Sequence, residues 1–297
     1  MAQHPSLTIY DASITDFINT GFEIEKLDST CAFSEGPVWN QEGFYLFSDI
    51  PRNVIYKLAP GTDKEVFINE SGYTSSRERS ALAEQIGSNG LAYDAGHQLL
   101  ICQHGNGAVS QWQGEDVKPF FSGYNGKPFN SPNDIIVHSN GTIYFSDPPY
   151  GLKDQKLQPE KYQPLAGIYC WRNGAVELFS THYQYPNGVC LSPDERIVYT
   201  CSNKPFEKFI LAFDALSLQL KGTIAAENSD GIKCDRYHNL FLCRKEGIII
   251  LNKEGKRLAK IELETIPANC CWGGNGMNDL FITARQNIFL IRNLLRA

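Results

Sequence analysis

Apolar residues along the chain fall in short runs, broken every few positions by Gly, Pro, Asn or Asp, and the layout repeats. Six stretches share it: an acid or amide, usually then Gly, an apolar run, a polar turn, and a second apolar or aromatic run. They are EGPVWNQEGFYLFSD (from Glu35), NGLAYDAGHQLLICQH (from Asn89), NDIIVHSNGTIYFSD (from Asn133), NGVCLSPDERIVYTCSN (from Asn187), DGIKCDRYHNLFLCR (from Asp230) and NCCWGGNGMNDLFITAR (from Asn269). Each predicts a β-hairpin, because the turns (NQEG, DAGH, HSNG, SPDE, DRYH) carry the residues that chain reversal needs. Further runs such as VIYKLAP, AVSQW, GIYCWRNG, FILAFDA, GIIILN and IFLIR supply outer strands. Four strands per repeat of about 40–50 residues is the pattern of a propeller blade. The expected fold is therefore all-β: a six-bladed β-propeller with four-stranded blades around a central channel, one domain over residues 1–297. Residues 1–30 are an extension packing on or closing the ring, and GFEIEKL, around Phe22–Leu27, can supply the outer strand that the last repeat lacks. Helical signals are local; SSRERSALAEQIG (75–87) predicts a short helix, and 152–163 reads as a polar loop.

In a propeller the innermost strand of every blade borders the channel, so equivalent positions near its start converge at one face. Those positions are Glu35, Asn89, Asn133, Asn187, Asp230 and Asn269, and every one has a side-chain oxygen. Two carboxylates with several amides and no His or Cys suit Ca²⁺, Mn²⁺ or Mg²⁺. Asn-Gly and Asp-Gly are also ordinary turn dipeptides, which accounts for the glycines but not for Glu35. The second hairpin strand returns to the same face, bringing Asp49, His104, Asp147, Ser202, Arg244 and Arg285 toward the channel mouth. His104 is a candidate proton carrier, and Asp147 opens the rigid DPPYG loop that carries Tyr150.

Composition narrows the partners. Lys+Arg 27 against Asp+Glu 33 gives a net charge of -6, the wrong sign for neutralising many phosphates, so nucleic acid and anionic membranes are not expected. No long apolar run and no basic leader occur. The nine cysteines include no CxxC pair and sit mostly in apolar stretches, where a thiol packs as a small hydrophobe. This favours a reducing cytoplasm; the partner expected is a small-molecule substrate, and the protein is expected to be a monomer or weak homodimer. No GxxxxGK[ST], HExxH or GxSxG motif is present.

The segments SEGPVW, NSPNDIIVHSNGTIYFSDPPYG, YPNGVCLSPDERIVYTCSN, SDGIKCDRYHNLFLC and NCCWGG with LFITAR closely resemble the gluconolactonase and regucalcin (senescence-marker protein) family of six-bladed propellers, from about Phe33 onward. The resemblance implies a calcium-dependent lactone hydrolase with one divalent cation, most readily Ca²⁺ and with Mg²⁺, Mn²⁺ or Zn²⁺ as in vitro substitutes. By the same resemblance Glu35, Asn133, Asn187 and Asp230 hold the metal, and Asp230 is also the proposed proton acceptor. Asn89, Asn133, Asp147 and Tyr150 are expected at the substrate. Regucalcin-like members carry an Arg two residues before the ND asparagine; Ser131 stands there in this chain. Asp230, His104 and a hydroxide held by the ion stay open as the base. The insertions 70–88 and 152–166 are expected at the channel face, with Tyr73, Arg77 or Arg79 and Tyr150 bordering the pocket and an Arg replacing the one missing at Ser131. A phosphotriesterase on the same site and a non-catalytic interaction scaffold are the alternatives.

Overall fold

A computed structural model describes residues 6–74, 77, 78 and 81–296. Every strand pairing in it is antiparallel. Six sheets of four or five strands together make a six-bladed β-propeller, and a separate two-stranded ribbon joins Gly123–Tyr124 to Lys127–Pro128. The first blade runs outward from β3 (Ser34–Asn40) through β4 (Phe44–Asp49) and β5 (Val54–Leu58) to β6 (Glu65–Asn69). The inner strands of the next four are β7 (Ser88–Tyr93), β13 (Ile135–Val137), β17 (Pro186–Leu191) and β21 (Ile232–Cys234), and that of the sixth is β25 (Asn269–Gly273). Each of the six repeats thus opens an inner strand or lies just ahead of one.

The terminal segments depart from strict repetition. In the sixth blade the fourth place belongs to β2 (Ile24–Asp28), which pairs with β27 (Asn287–Ile291) through Ile24↔Ile291 and Lys26↔Phe289. Strand β1 (Leu7–Ile9) adds a fifth strand to the fifth blade by pairing with β24 (Arg257–Ile261). The 75–87 stretch forms no α-helix among its described residues; instead Leu82 makes a β-bridge with Leu152.

Both faces of each blade are covered by a neighbouring blade, so the middle strands read as nearly continuous apolar runs. In β4, Tyr45 and Phe47 pack with Phe281 and Ile288 of the sixth blade, while Leu46 packs with Leu91 and Ile101 of the second. Four equivalent clusters fill the other interfaces and close the ring. Cysteines take part in most of these clusters; all nine are free and only Cys234 is less than fully buried, and burial pushes the Cys31 thiol up to about 12, the behaviour of a packed apolar side chain.

The glycines that follow the repeat positions have a steric role. A Cβ on Gly188 would sit 2.7 Å from the carbonyl oxygen of Asp230 in the next blade, and one on Gly90 would sit 2.5 Å from that of Asn133. Both lie inside inner strands. Their backbone N–H groups donate to the same carbonyls, at 3.0 and 2.7 Å. They let adjacent inner strands touch near the axis, a different job from turn formation. In the third blade this place holds Asp134 instead. Its carboxylate accepts from Ile135 and Val189 N–H and pairs with Lys233 Nζ at 3.4 Å inside the channel.

Candidate functional site

Five of the six repeat positions, Glu35, Asn89, Asn133, Asn187 and Asp230, line one cavity of about 210 Å³ together with His104 and Tyr150. The sixth, Asn269, is buried beside it, close enough to Glu35 for its amide to favour the ionised carboxylate. The volume falls below the roughly 300–1,000 Å³ of drug-sized ligand sites, which fits a compact polar molecule.

A recurring peg fixes the approach to these residues. Asp49 Oδ2 and Oδ1 accept from the N–H groups of Ala32 and Phe33, three and two positions ahead of Glu35. Asp147 does the same for Asn130 and Ser131, ahead of Asn133. In the fourth blade Glu207 replaces an aspartate and accepts from Gln184 and Tyr185, ahead of Asn187, while Ser202 Oγ donates to it. Asp147 is fully buried and does not line the cavity; burial pushes its carboxyl up to about 7 against these N–H donors. Arg244 pairs with Glu227 and does not line the cavity.

Inside the cavity, hydrogen bonds set the amides. His104 Nδ1 faces Gln85 O at 3.3 Å, and its Nε2 faces Asn89 Nδ2 at 3.3 Å and Asn133 Nδ2 at 3.4 Å. That pattern makes Nδ1 the donor and Nε2 the acceptor, turning both Oδ1 atoms away from the imidazole. Burial lowers the His104 pKa to about 4, so the ring is neutral. Asn187 Nδ2 donates to Asp230 Oδ1 at 2.6 Å, leaving Asn187 Oδ1 buried with no partner among the described residues. Asn203 Nδ2 also donates to Asp230 Oδ1, at 3.3 Å, while Asn203 Oδ1 accepts from Tyr150 OH at 2.8 Å.

Two carboxylates face one another across this ring. Burial raises the pKa of Glu35, and the negative charge of Asp230 raises it further; burial likewise raises Asp230 to about 6, opposed by the Asn203 and Asn187 amides and by the charges of Arg285 and Lys204. A buried like-charged pair beside an orphaned amide oxygen is relieved by a cation. No group of three or more His, Cys, Asp or Glu is placed to hold a metal ion among the described residues, so a cation held here relies on amide oxygens as well as the two carboxylates, a hard donor set.

The insertions wall one side of the mouth. Leu82 and Leu152 bridge, Ala83 N donates to Gly151 O, and Ala81, Leu82, Leu152 and Tyr162 form a small core of their own. They present Gln85 and Gln155 to the cavity. Tyr73 and Arg77 do not line it: Arg77 stacks on Tyr162 and donates to Asn130 O at 2.8 Å and to Phe129 O. Arg79 lies outside the described residues. Ser131 is also withdrawn, its Oγ donating to Pro148 O and accepting from Gly151 N.

Residues 33–286 match the model of the SMP-30/Gluconolactonase/LRE-like region. The chain belongs to that family. It is similar to a gluconolactonase of Zymomonas mobilis, 29% identical over 311 aligned positions that cover 96% of this chain and 85% of the relative. A gluconolactonase structure from Xanthomonas campestris superposes with a TM-score of 0.84 at 24% identity, covering 98% of this chain and 94% of that one. A calcium-binding regucalcin from Agrobacterium tumefaciens superposes with a TM-score of 0.74 at 17% identity, covering 93% and 95%. Both superpositions speak for the shared fold. No described helix is long and apolar enough to cross a membrane.

Several cavity residues in this family member carry no signal in the repeat. Gln85 and Gln155 come from the insertions, and Asn203 and Lys204 from the loop after β18 (Ile197–Ser202). Only their distance from a repeat position, such as Gln85 four residues before Asn89, hints that they are near.

Proposed function

We propose that the protein hydrolyses a small lactone with one divalent cation, most readily Ca²⁺, held by Glu35, Asn133, Asn187 and Asp230. The observation that carries this reading is the buried, unpartnered Asn187 Oδ1 in a ring with Glu35 and Asp230, in a chain related to a gluconolactonase. When bound, such an ion would polarise the lactone carbonyl and offset the charge that develops on its oxygen.

The chain's own groups handle the proton. Asp230 Oδ1 already accepts two amide N–H groups, whereas Oδ2 makes no hydrogen bond among the described residues. His104 Nε2 is turned to two amides, so it positions Asn89 and Asn133, and Asp230 Oδ2 takes the proton as water oxygen bonds to the carbonyl carbon. The ring C–O bond then breaks, and Asp230 returns the proton to the departing ring oxygen, giving the hydroxy acid. Tyr150, Gln85 and Gln155 bound the space for substrate hydroxyls.

The test is hydrolysis of gluconolactone by the purified full-length protein, with and without chelator, and in Glu35→Gln and Asp230→Asn. A fall of at least roughly 100-fold in kcat/KM is expected with chelator and in each variant. Full activity in excess chelator, or in either variant, overturns the reading.

A further inference from the structure

The cavity has two cations with no directly paired acid among the described residues, although Asp230 acts on both, and Glu207 on Lys204, through space. Lys204 lies on the fourth-blade side of Asp230 and Arg285 on the sixth-blade side, so they flank it along the ring. Neither side chain has a salt bridge or side-chain hydrogen bond among the described residues. What holds them is aromatic: Lys204 Nζ sits 4.4 Å from the Tyr185 ring centroid and 5.2 Å from that of Tyr150, and the Arg285 guanidinium carbon 5.7 Å from that of Phe33. Such contacts hold a cation in place and leave its hydrogen-bond donors free.

The Arg285 backbone is fixed in an unusual conformation. Its φ is +58°, a region that residues other than Gly seldom adopt. Its carbonyl accepts from both Ser34 N and Ser34 Oγ, at 2.7 Å each, tying the turn to the strand that carries Glu35. The other wall differs: Gln85, Asn89, His104, Asn133, Tyr150 and Gln155 are all neutral. The cavity is therefore polarised, with uncharged donors and acceptors on one side and Lys204 and Arg285, beside the carboxylates of Asp230 and Glu35, on the other.

We infer that this enzyme prefers a lactone bearing an oxyanion substituent, a phosphate or a second carboxylate, which Lys204 and Arg285 bind while the neutral wall takes the hydroxyls. The inference rests on the lactonase reading and names its substrate class. Once Glu35 and Asp230 are committed to a divalent cation, no carboxylate lining the cavity remains to balance Lys204 and Arg285, and a neutral lactone would leave both unmatched.

The experiment compares gluconolactone with phosphogluconolactone and glucarolactone, measuring kcat/KM at low and high salt. In parallel, calorimetry measures binding of the product acids gluconate, phosphogluconate and glucarate to the cation-loaded protein. At low salt kcat/KM for one anionic lactone should exceed that for gluconolactone by about tenfold or more, narrowing as salt rises, and its product acid should bind correspondingly tighter. The better of the two arms identifies phosphate or carboxylate. Lys204→Met and Arg285→Met should each cut the anionic-to-neutral ratio several-fold, whereas Lys204→Arg and Arg285→Lys, which keep the charge, should retain most of it. Equal kcat/KM for all three lactones, or a ratio unmoved by both methionine variants, overturns the inference while leaving lactone hydrolysis standing. If no lactone is turned over, the lactonase reading fails, and calorimetry still decides the anion site: product acids that bind alike to wild type and methionine variants overturn it.

Discussion

His104 shows how much one side chain's neighbours decide about its role. Its placement directly after the apolar strand Leu99–Gln103, close to a ring of side-chain oxygens, suggests a proton carrier, and sequence offers no means of telling which way its nitrogens face. The structure turns Nε2 toward two amide Nδ2 atoms and Nδ1 toward a carbonyl, which suits an anchor for Asn89 and Asn133. Outer-shell partners of this kind are typically worth about 10–100-fold in metal affinity or activity. His104→Phe, which removes the acceptor, should therefore weaken cation binding by roughly that factor in a chelator-competition titration. His104→Gln, which keeps an acceptor oxygen, should recover much of it. Equal affinity in His104→Phe and wild type would return the ring to a role in proton transfer. The oxygen ring itself was legible, because six repeats superpose it by counting. Lys204, Gln85 and the Asp134–Lys233 pair were not, since each depends on loop paths or cross-channel distances that no repeat encodes.

At the scale of the strand, the inner row must converge on the axis without side chains to separate neighbouring blades. The glycine after most repeat positions achieves this, and it explains why a motif that looks like a turn lies within a strand. Hairpins and blade number were readable because strand and turn residues alternate regularly; the insertions misled because SSRERSALAEQIG has helical composition, yet its apolar residues are used in a small core against Leu152 and Tyr162. Gly188→Ala forces a Cβ to 2.7 Å from Asp230 O and from Ile232 N. Overpacking of this kind costs about 1–3 kcal/mol. Since the displaced backbone is that of Asp230, denaturant unfolding should show the loss of stability and assays a loss of activity together. Gly96→Ala is the control: its nearest neighbour is a flexible Asp94 side-chain oxygen at 3.3 Å, and its unfolding midpoint should correspond to within about 0.5 kcal/mol of wild type. Equal stability in the two variants would mean that the inner strands have slack to move apart.

For the whole molecule the decisive contact joins residues that are far apart in sequence. Strand β27 is buried along its length, yet within its own repeat it has a partner on one side alone, β26 (Asp279–Ala284); the other side is covered by β2 from the beginning of the chain. We propose that β2 is the clasp that closes the ring, whereas β1 lies on the outer edge of a blade that already has four strands. Removing residues 1–10 takes away β1 and the buried Leu7 but leaves every blade four-stranded, so the protein should stay folded and active with a modestly lower Tm. Removing residues 1–30 takes β2 as well. It exposes the backbone edge of β27, uncovers the apolar cluster of Phe289, Ile291 and Leu294, and frees the last blade from the chain start. An unpaired apolar edge of this kind recruits strands from other molecules. The longer deletion should therefore lose the single cooperative melting transition and elute as oligomers or aggregate on size-exclusion chromatography, while the shorter one remains like wild type. A monomeric, cooperatively melting protein lacking residues 1–30 would show that packing between blades closes the ring without the clasp.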